Sequence, residues 1–253
     1  MAIMPGAEPF AADGGTVGVL LIHGFTGTPH GVRDWARHLA EAGLSVRAPR
    51  LPGHGTRWQE MNQTRWEDWY GEAERNLDAL LDRCPQVFVM GLSMGGTLAL
   101  RLAELRGDDV AGLVLVNPSV LTLRKDAALL PALRLFIPSF PGVSNDIKAD
   151  GVRELAYDRI PLRAAHSLSQ LWRLVRTDLP RVTQPLLLFS STEDHVVESA
   201  NATTVLENVS STDRRHILLA DSYHVATLDN DAPQIFADSL TFVRTHAPSL
   251  SGG

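Results

Sequence analysis

The chain alternates short apolar runs with stretches whose apolar residues return every three or four positions. Val17–Ile22 (VGVLLI) has no polar member and lies between turn-forming residues, which predicts a strand covered on both faces. Further short strands are predicted at 44–48, 87–90, 113–116, 186–189 and 216–219. Trp66, Trp69, Tyr70, Ala73, Leu77 and Leu80 are spaced for one face of a helix over Trp66–Leu81. Helices are also predicted over 32–42, where Gly43 is placed to end the run, over Met94–Arg106 and over 232–245. Apolar strands separated by helices predict an α/β fold, with a mostly parallel sheet and helices on both of its faces.

The alternation breaks over 119–180. Pro131, Pro138, Pro141, Pro161 and Pro180 fall there, Pro118 stands at the edge, and no strand pattern emerges. The stretch reads as a small helical cap inserted over one end of the sheet, within a single domain spanning 1–253. Residues 1–15 read as a short tail before the first strand, and 249–253 as a frayed end.

Composition narrows the function classes. At 253 residues, 44% hydrophobic and 21% charged, the chain has enough apolar surface to order itself, so disorder is set aside for most of it. Its net charge of −6 (23 basic against 29 acidic residues), with no Lys/Arg block, argues against a nucleic-acid partner. Cys84 stands alone, so neither an internal disulfide nor a Cys-rich zinc site is possible, and a reducing, cytoplasmic setting fits. No run approaches the roughly 18–20 apolar residues of a membrane span. The first fifteen residues hold no Lys or Arg and no long apolar core, unlike a signal peptide.

The candidate chemistry centres on Gly91-Leu92-Ser93-Met94-Gly95, between a predicted strand and a predicted helix. A serine on so sharp a turn holds its hydroxyl clear of the sheet, and the crowding calls for glycine on both sides. The helix start adds free amides and the positive end of a dipole, so the Met94 N–H can face a developing oxyanion. Without a partner base the same motif is only a tight turn with an idle serine. His23-Gly24-Phe25-Thr26-Gly27 follows the first strand and offers a second oxyanion donor in the Phe25 N–H, while the His23 side chain reads as a loop anchor.

A serine nucleophile needs a base, and the base needs an orienting acid. His224, just past the last predicted strand, has the right place in chain order. His30 and His38 read as solvated on an early helix. His54 sits in a turn, His166 in the cap, His216 in a strand and His246 at the end of the last helix. For the acid, Glu193 and Asp194 both follow a strand, and Asp221 lies near His224; composition does not separate the three.

The segments LLIHGFTGTPH, APRLPGHGT, VFVMGLSMGGTLAL, STEDHVV and SYHVATLDND resemble the bacterial monoacylglycerol lipases and their carboxylesterase relatives of the α/β-hydrolase fold. The resemblance runs from about Val17 to His246 and takes in VRELAYDRIP of the cap. It implies Ser93 as nucleophile, Asp194 rather than Glu193 as acid, His224 as base, and the Phe25 and Met94 amides as oxyanion hole. It also implies that Glu154 contacts the glycerol hydroxyls and, with Val143, belongs to the substrate-binding cap; otherwise Glu154 is a solvated helix residue. No metal or organic cofactor is implied. The sequence departs from the family over 129–141, the segment that should shape the acyl tunnel.

The expected partner is a small lipid ester, cleaved through an acyl-enzyme. Leu129, Leu130, Leu133, Leu135, Phe136 and Phe140 make the cap apolar enough to line a tunnel and to touch a micelle or membrane surface transiently. The expected location is the cytoplasm, with the cap allowing contact at the membrane surface. The alternatives are a carboxylesterase or thioesterase for short- to medium-chain soluble esters, which needs the same triad, and a non-catalytic binding module on the same fold.

Overall fold

The computed structural model describes residues 2–142 and 145–247; Val143, expected to contact substrate, and residues 249–253, read as a frayed end, lie outside the described residues. In chain order the elements are β1 (Phe10–Ala12), β2 (Val17–Ile22), α1 (Arg33–Glu41), β3 (Ser45–Ala48), α2 (Trp58–Met61), α3 (Trp66–Leu81), β4 (Gln86–Leu92), α4 (Met94–Arg106) and β5 (Gly112–Val116). They continue with α5 (Leu130–Phe136), β6 (Ser139–Pro141), β7 (Arg159–Pro161), α6 (Leu162–Asp178), β8 (Leu186–Ser191), α7 (Ala200–Asn208), β9 (Arg214–Leu219) and α8 (Ala232–His246).

The main sheet runs β1-β3-β2-β4-β5-β8-β9, parallel except where β1 pairs antiparallel with β3. Its central strands β2, β4 and β5 are largely apolar and buried because each face meets a layer of helices. Leu20 and Ile22 of β2 enter a core with Trp69, Leu77 and Leu98. Val17, Val19 and Leu21 enter the opposite core with Trp35, Leu39 and Phe242. β9 closes one edge and carries Arg214 and Arg215, charges that discourage another strand from adding there.

The structure corrects two expectations. Residues 1–15 are not simply a tail: Phe10, Ala11 and Ala12 form β1, in register with Ala48, Arg47 and Val46. Three residues are too few to show a period of two, so only the partner strand reveals them. The cap also holds strand. Phe140 of β6 lies opposite Ile160 of β7 in a two-stranded antiparallel ribbon. Pro141 and Pro161 hide it in the sequence, because proline marks a run as non-strand unless the strand is an edge, as both strands here are.

The connection from β5 to β8 carries α5, the β6–β7 ribbon and α6. Leu168, Leu171 and Val175 on one face of α6 bind this segment to the core. Outside it, α5 has no buried residue.

Candidate active site

β4 turns directly into α4 at Ser93, whose backbone takes φ 55° and ψ −118°, a conformation costly for a side-chain-bearing residue. The turn holds because its surroundings are fixed: the Ser93 N–H donates to Val116 O at 2.9 Å, and Ser93 O accepts the Gly96 N–H at 2.9 Å. The chain passes itself so closely that a Cβ on Gly91 would run into the Gly95 backbone, and one on Gly95 into Ile22 O. The glycines flanking Ser93 are therefore steric requirements.

Ser93 Oγ lies 2.9 Å from His224 Nε2, and His224 Nδ1 lies 2.8 Å from Asp194 Oδ2. All three side chains are buried or nearly so. Asp194 Oδ1 also accepts the Val196 and Val197 amides at 2.8 Å each. Burial alone would raise the Asp194 pKa; the hydrogen bond and charge of His224, with those two amides, outweigh it and hold the carboxyl below its ordinary value. Asp194 is thus an ionised partner for the imidazole. Of its rivals, Glu193 is exposed, 3.6 Å from His195, and Asp221 pairs with Lys148 at 3.0 Å.

The candidate oxyanion donors stand beside this relay. Met94 is the first residue of α4, and Gly24, just before Phe25, is near enough that an added Cβ would meet Ser93 Cβ at 3.5 Å. Among the described residues neither the Phe25 nor the Met94 amide donates to another group of the chain. His23 anchors the loop: its Nε2 accepts the Leu51 N–H at 3.2 Å and its Nδ1–H donates to Gly24 O at 3.0 Å. Burial pushes His23 down to about 4 and His54, 5.0 Å away, well below its ordinary value, so both are neutral supports.

The cap closes over this loop. Thr28 Oγ1 donates to Leu155 O, the Tyr157 amide donates to Thr26 O, and the Tyr157 hydroxyl donates to Gly53 O while accepting the Thr56 amide. Glu154 is therefore not a solvated helix residue. It lies in an irregular segment with its carboxyl packed against Gly27, and burial raises it to about 7, opposed by the nearby His224. The other histidines stay outside the relay. His30 and His38, expected to be solvated, are half-buried, His38 against Phe236 where α1 meets α8.

Two residues that the sequence reading passed over organise the relay. Asp146, from the cap, accepts the His195 N–H, the His195 ring and the His224 N–H on its carboxylate, while its backbone O accepts the Val225 amide. Asn117, directly after β5, donates to His224 O and Ser191 Oγ and accepts the Ser191 amide. Neither belongs to a local motif; each is defined by segments distant in the chain.

A parallel sheet with β1 as its antiparallel edge, a serine on the β4–α4 turn and a Ser–Asp–His relay in that chain order define an α/β-hydrolase-fold serine hydrolase. The chain belongs to the Hydrolase_4 family, described as serine aminopeptidase, S33, whose pattern matches residues 17–231. It is 43% identical over 246 residues to the thermostable monoacylglycerol lipase of Bacillus sp. (strain H-257), covering 97% of each chain. It is 25% identical over 240 residues to a carboxylesterase of Bacillus subtilis (strain 168), covering 93% of this chain and 96% of that one. Among solved structures, one from a study of LipS and LipT, two metagenome-derived lipolytic enzymes, superposes with a TM-score of 0.94 at 40% identity, over 97% of this chain and 100% of the other.

Proposed function

We propose that the chain hydrolyses monoacylglycerols to fatty acid and glycerol through an acyl-enzyme on Ser93. The supporting observation is the continuous relay from Ser93 through His224 to Asp194, in a chain so similar to a monoacylglycerol lipase along its length. His224 takes the Ser93 proton as Ser93 attacks the ester carbonyl, and Asp194 holds the ring in the tautomer that can do so. The tetrahedral oxyanion rests on the Phe25 and Met94 amides at the positive end of α4. Glycerol departs with a proton from His224. Water then attacks the acyl carbonyl with His224 again as base; the bond to Ser93 Oγ breaks, Oγ takes the proton back from His224, and the fatty acid leaves.

In this reading Glu154, packed against Gly27, receives the glycerol hydroxyls. The cap reaches outward: Leu129 is 59% and Phe136 84% exposed, an apolar surface suited to a lipid interface. The reading is a cytoplasmic enzyme that works on the membrane surface. Among the described residues no helix is long and apolar enough to cross a membrane.

The test is a hydrolysis series on monoacylglycerols of increasing chain length, with di- and triacylglycerol controls. Activity should peak on monoacylglycerols and collapse on the bulkier glycerides. Ser93→Ala should lower kcat by roughly 10⁴-fold or more, and Asp194→Asn by about 10⁴-fold, while Glu193→Gln should cost little. Activity confined to short soluble esters would favour the carboxylesterase reading, which the Bacillus subtilis relative supports.

A further inference from the structure

Some of the arginines are tied to carboxylates: Arg47 and Arg83 to Asp13, Arg101 to Glu104 and Asp178, Arg106 to Asp78 and Asp109. Among the described residues the guanidinium groups of Arg65, Arg134 and Arg163 have no carboxylate within 4.0 Å, as is also true of others such as Arg50 and Arg215, but these three line one cavity of about 500 Å³ between the start of α3 and the cap helices α5 and α6. His166, one turn beyond Arg163, lines it too, and Glu67 is the only acidic residue in that lining. The Arg134 Nε is buried with no partner among the described residues.

A second cavity of about 320 Å³ adjoins the first, sharing Arg134 and Arg163. Its far side is formed by Leu135, Phe136 and Ile137, with Phe136 84% exposed. A cationic pocket and an apolar rim thus share a wall.

Guanidinium groups gathered without counter-ions repel one another, and a fixed anion relieves that repulsion. The local field is positive: His166 is held below its ordinary value, first by burial and then by Arg134 and Arg173. The planar forks of arginine suit phosphate oxygens, which accept paired N–H bonds. The chain as a whole gives an anionic surface no help, since its net charge is −6. The apolar rim favours an amphiphile over a free anion or an acidic peptide.

We propose that the Arg65–Arg134–Arg163 cavity holds the phosphate group of an anionic phospholipid, while Leu135 and Phe136 enter the acyl region beside it. The enzyme then docks cap-first on anionic membranes. This rests on the lipid-surface reading of the cap and adds the headgroup class to it.

The experiment is flotation of the full chain with phosphatidylcholine vesicles, with and without phosphatidylglycerol. The wild type should prefer the phosphatidylglycerol vesicles, and Arg134→Gln/Arg163→Gln should reduce that preference by roughly 30-fold. The same double variant should keep its activity on a short soluble ester, showing that it is folded. Phe136→Ser should weaken binding to both kinds of vesicle and leave their ratio intact. In the wild type, phosphatidylglycerol should raise the His166 titration midpoint, read by NMR.

A preference that survives in the double variant overturns the proposal. Equal binding of the wild type to both vesicles overturns it while leaving the apolar contact standing. No binding to either vesicle removes the lipid-surface reading itself. A His166 shift produced by inorganic phosphate, without any vesicle preference, assigns the cavity to free phosphate and overturns the lipid assignment.

Discussion

Ser93 takes a positive φ because β4 must become α4 within one residue, and Gly91 and Gly95 leave the backbone room to pass. These demands are local, which is why GLSMG is legible from residue order. The acid is not legible that way. Glu193 and Asp194 are adjacent carboxylates, but the fold leaves the Glu193 side chain 57% exposed and the Asp194 side chain 7% exposed. Family resemblance, not spacing, separated them before the fold did. Glu154 carries a prediction at this scale. Its pKa rises from 4.5 to about 7 in the folded chain, so folding favours its protonated form. That contribution is full below pH 4.5 and is lost as pH rises through 7. Glu154→Gln should therefore match the wild-type Tm near pH 4 and exceed it clearly near pH 8, with the difference growing as pH rises, as measured by calorimetry. A Tm difference independent of pH would show that the carboxyl is solvated.

Among the elements, the cap segment after β6 does more than cover the site. Asp146 ties the loop carrying Asp194 to the loop carrying His224, and Asp229 accepts the Lys148, Ala149 and Tyr223 amides nearby. Asp194 and His224 are thus held at fixed separation by a residue of the cap. Asp146→Ala should lower kcat about 10- to 100-fold with a smaller change in KM, because small misplacements of reacting groups are costly. Asp146→Asn should recover part of the loss, since its amide oxygen still accepts an N–H. Steady-state kinetics on a soluble ester decide it; an unchanged kcat would reduce Asp146 to a surface tie. Helices and central strands were legible because their apolar periods are long. β1 and the β6–β7 ribbon were not, because three-residue edge strands take their form from their partners.

Across the whole molecule, apolar side chains are unevenly placed. The two cores flanking the sheet bury most of the large ones; exposed ones such as Leu105 and Leu218 are scattered, whereas Leu129, Leu135, Phe136 and Phe140 fall together in the cap. Such a patch costs solubility unless a lipid surface covers it. Replacing Phe136 and Phe140 with serine should reduce both vesicle association and turnover of long-chain monoacylglycerols, with hydrolysis of short soluble esters maintained. Unchanged association and turnover would mean that the patch serves neither.

The sequence by itself determined the parallel sheet, its main helices, the nucleophile turn and the chain order of the relay. Each is written in short-range pattern: continuous apolar strands, helical spacing, and glycines where backbone meets backbone. Tertiary structure alone decided the hydrogen-bond partners of Asp146 and Asn117, the place of Glu154 against the loop carrying Phe25, and the convergence of Arg65, Arg134 and Arg163 on one cavity, and it showed physically why Asp194 rather than Glu193 reaches His224. Those groups lie tens of residues apart, and their meeting depends on how the cap seats on the sheet, a packing outcome that no local period records.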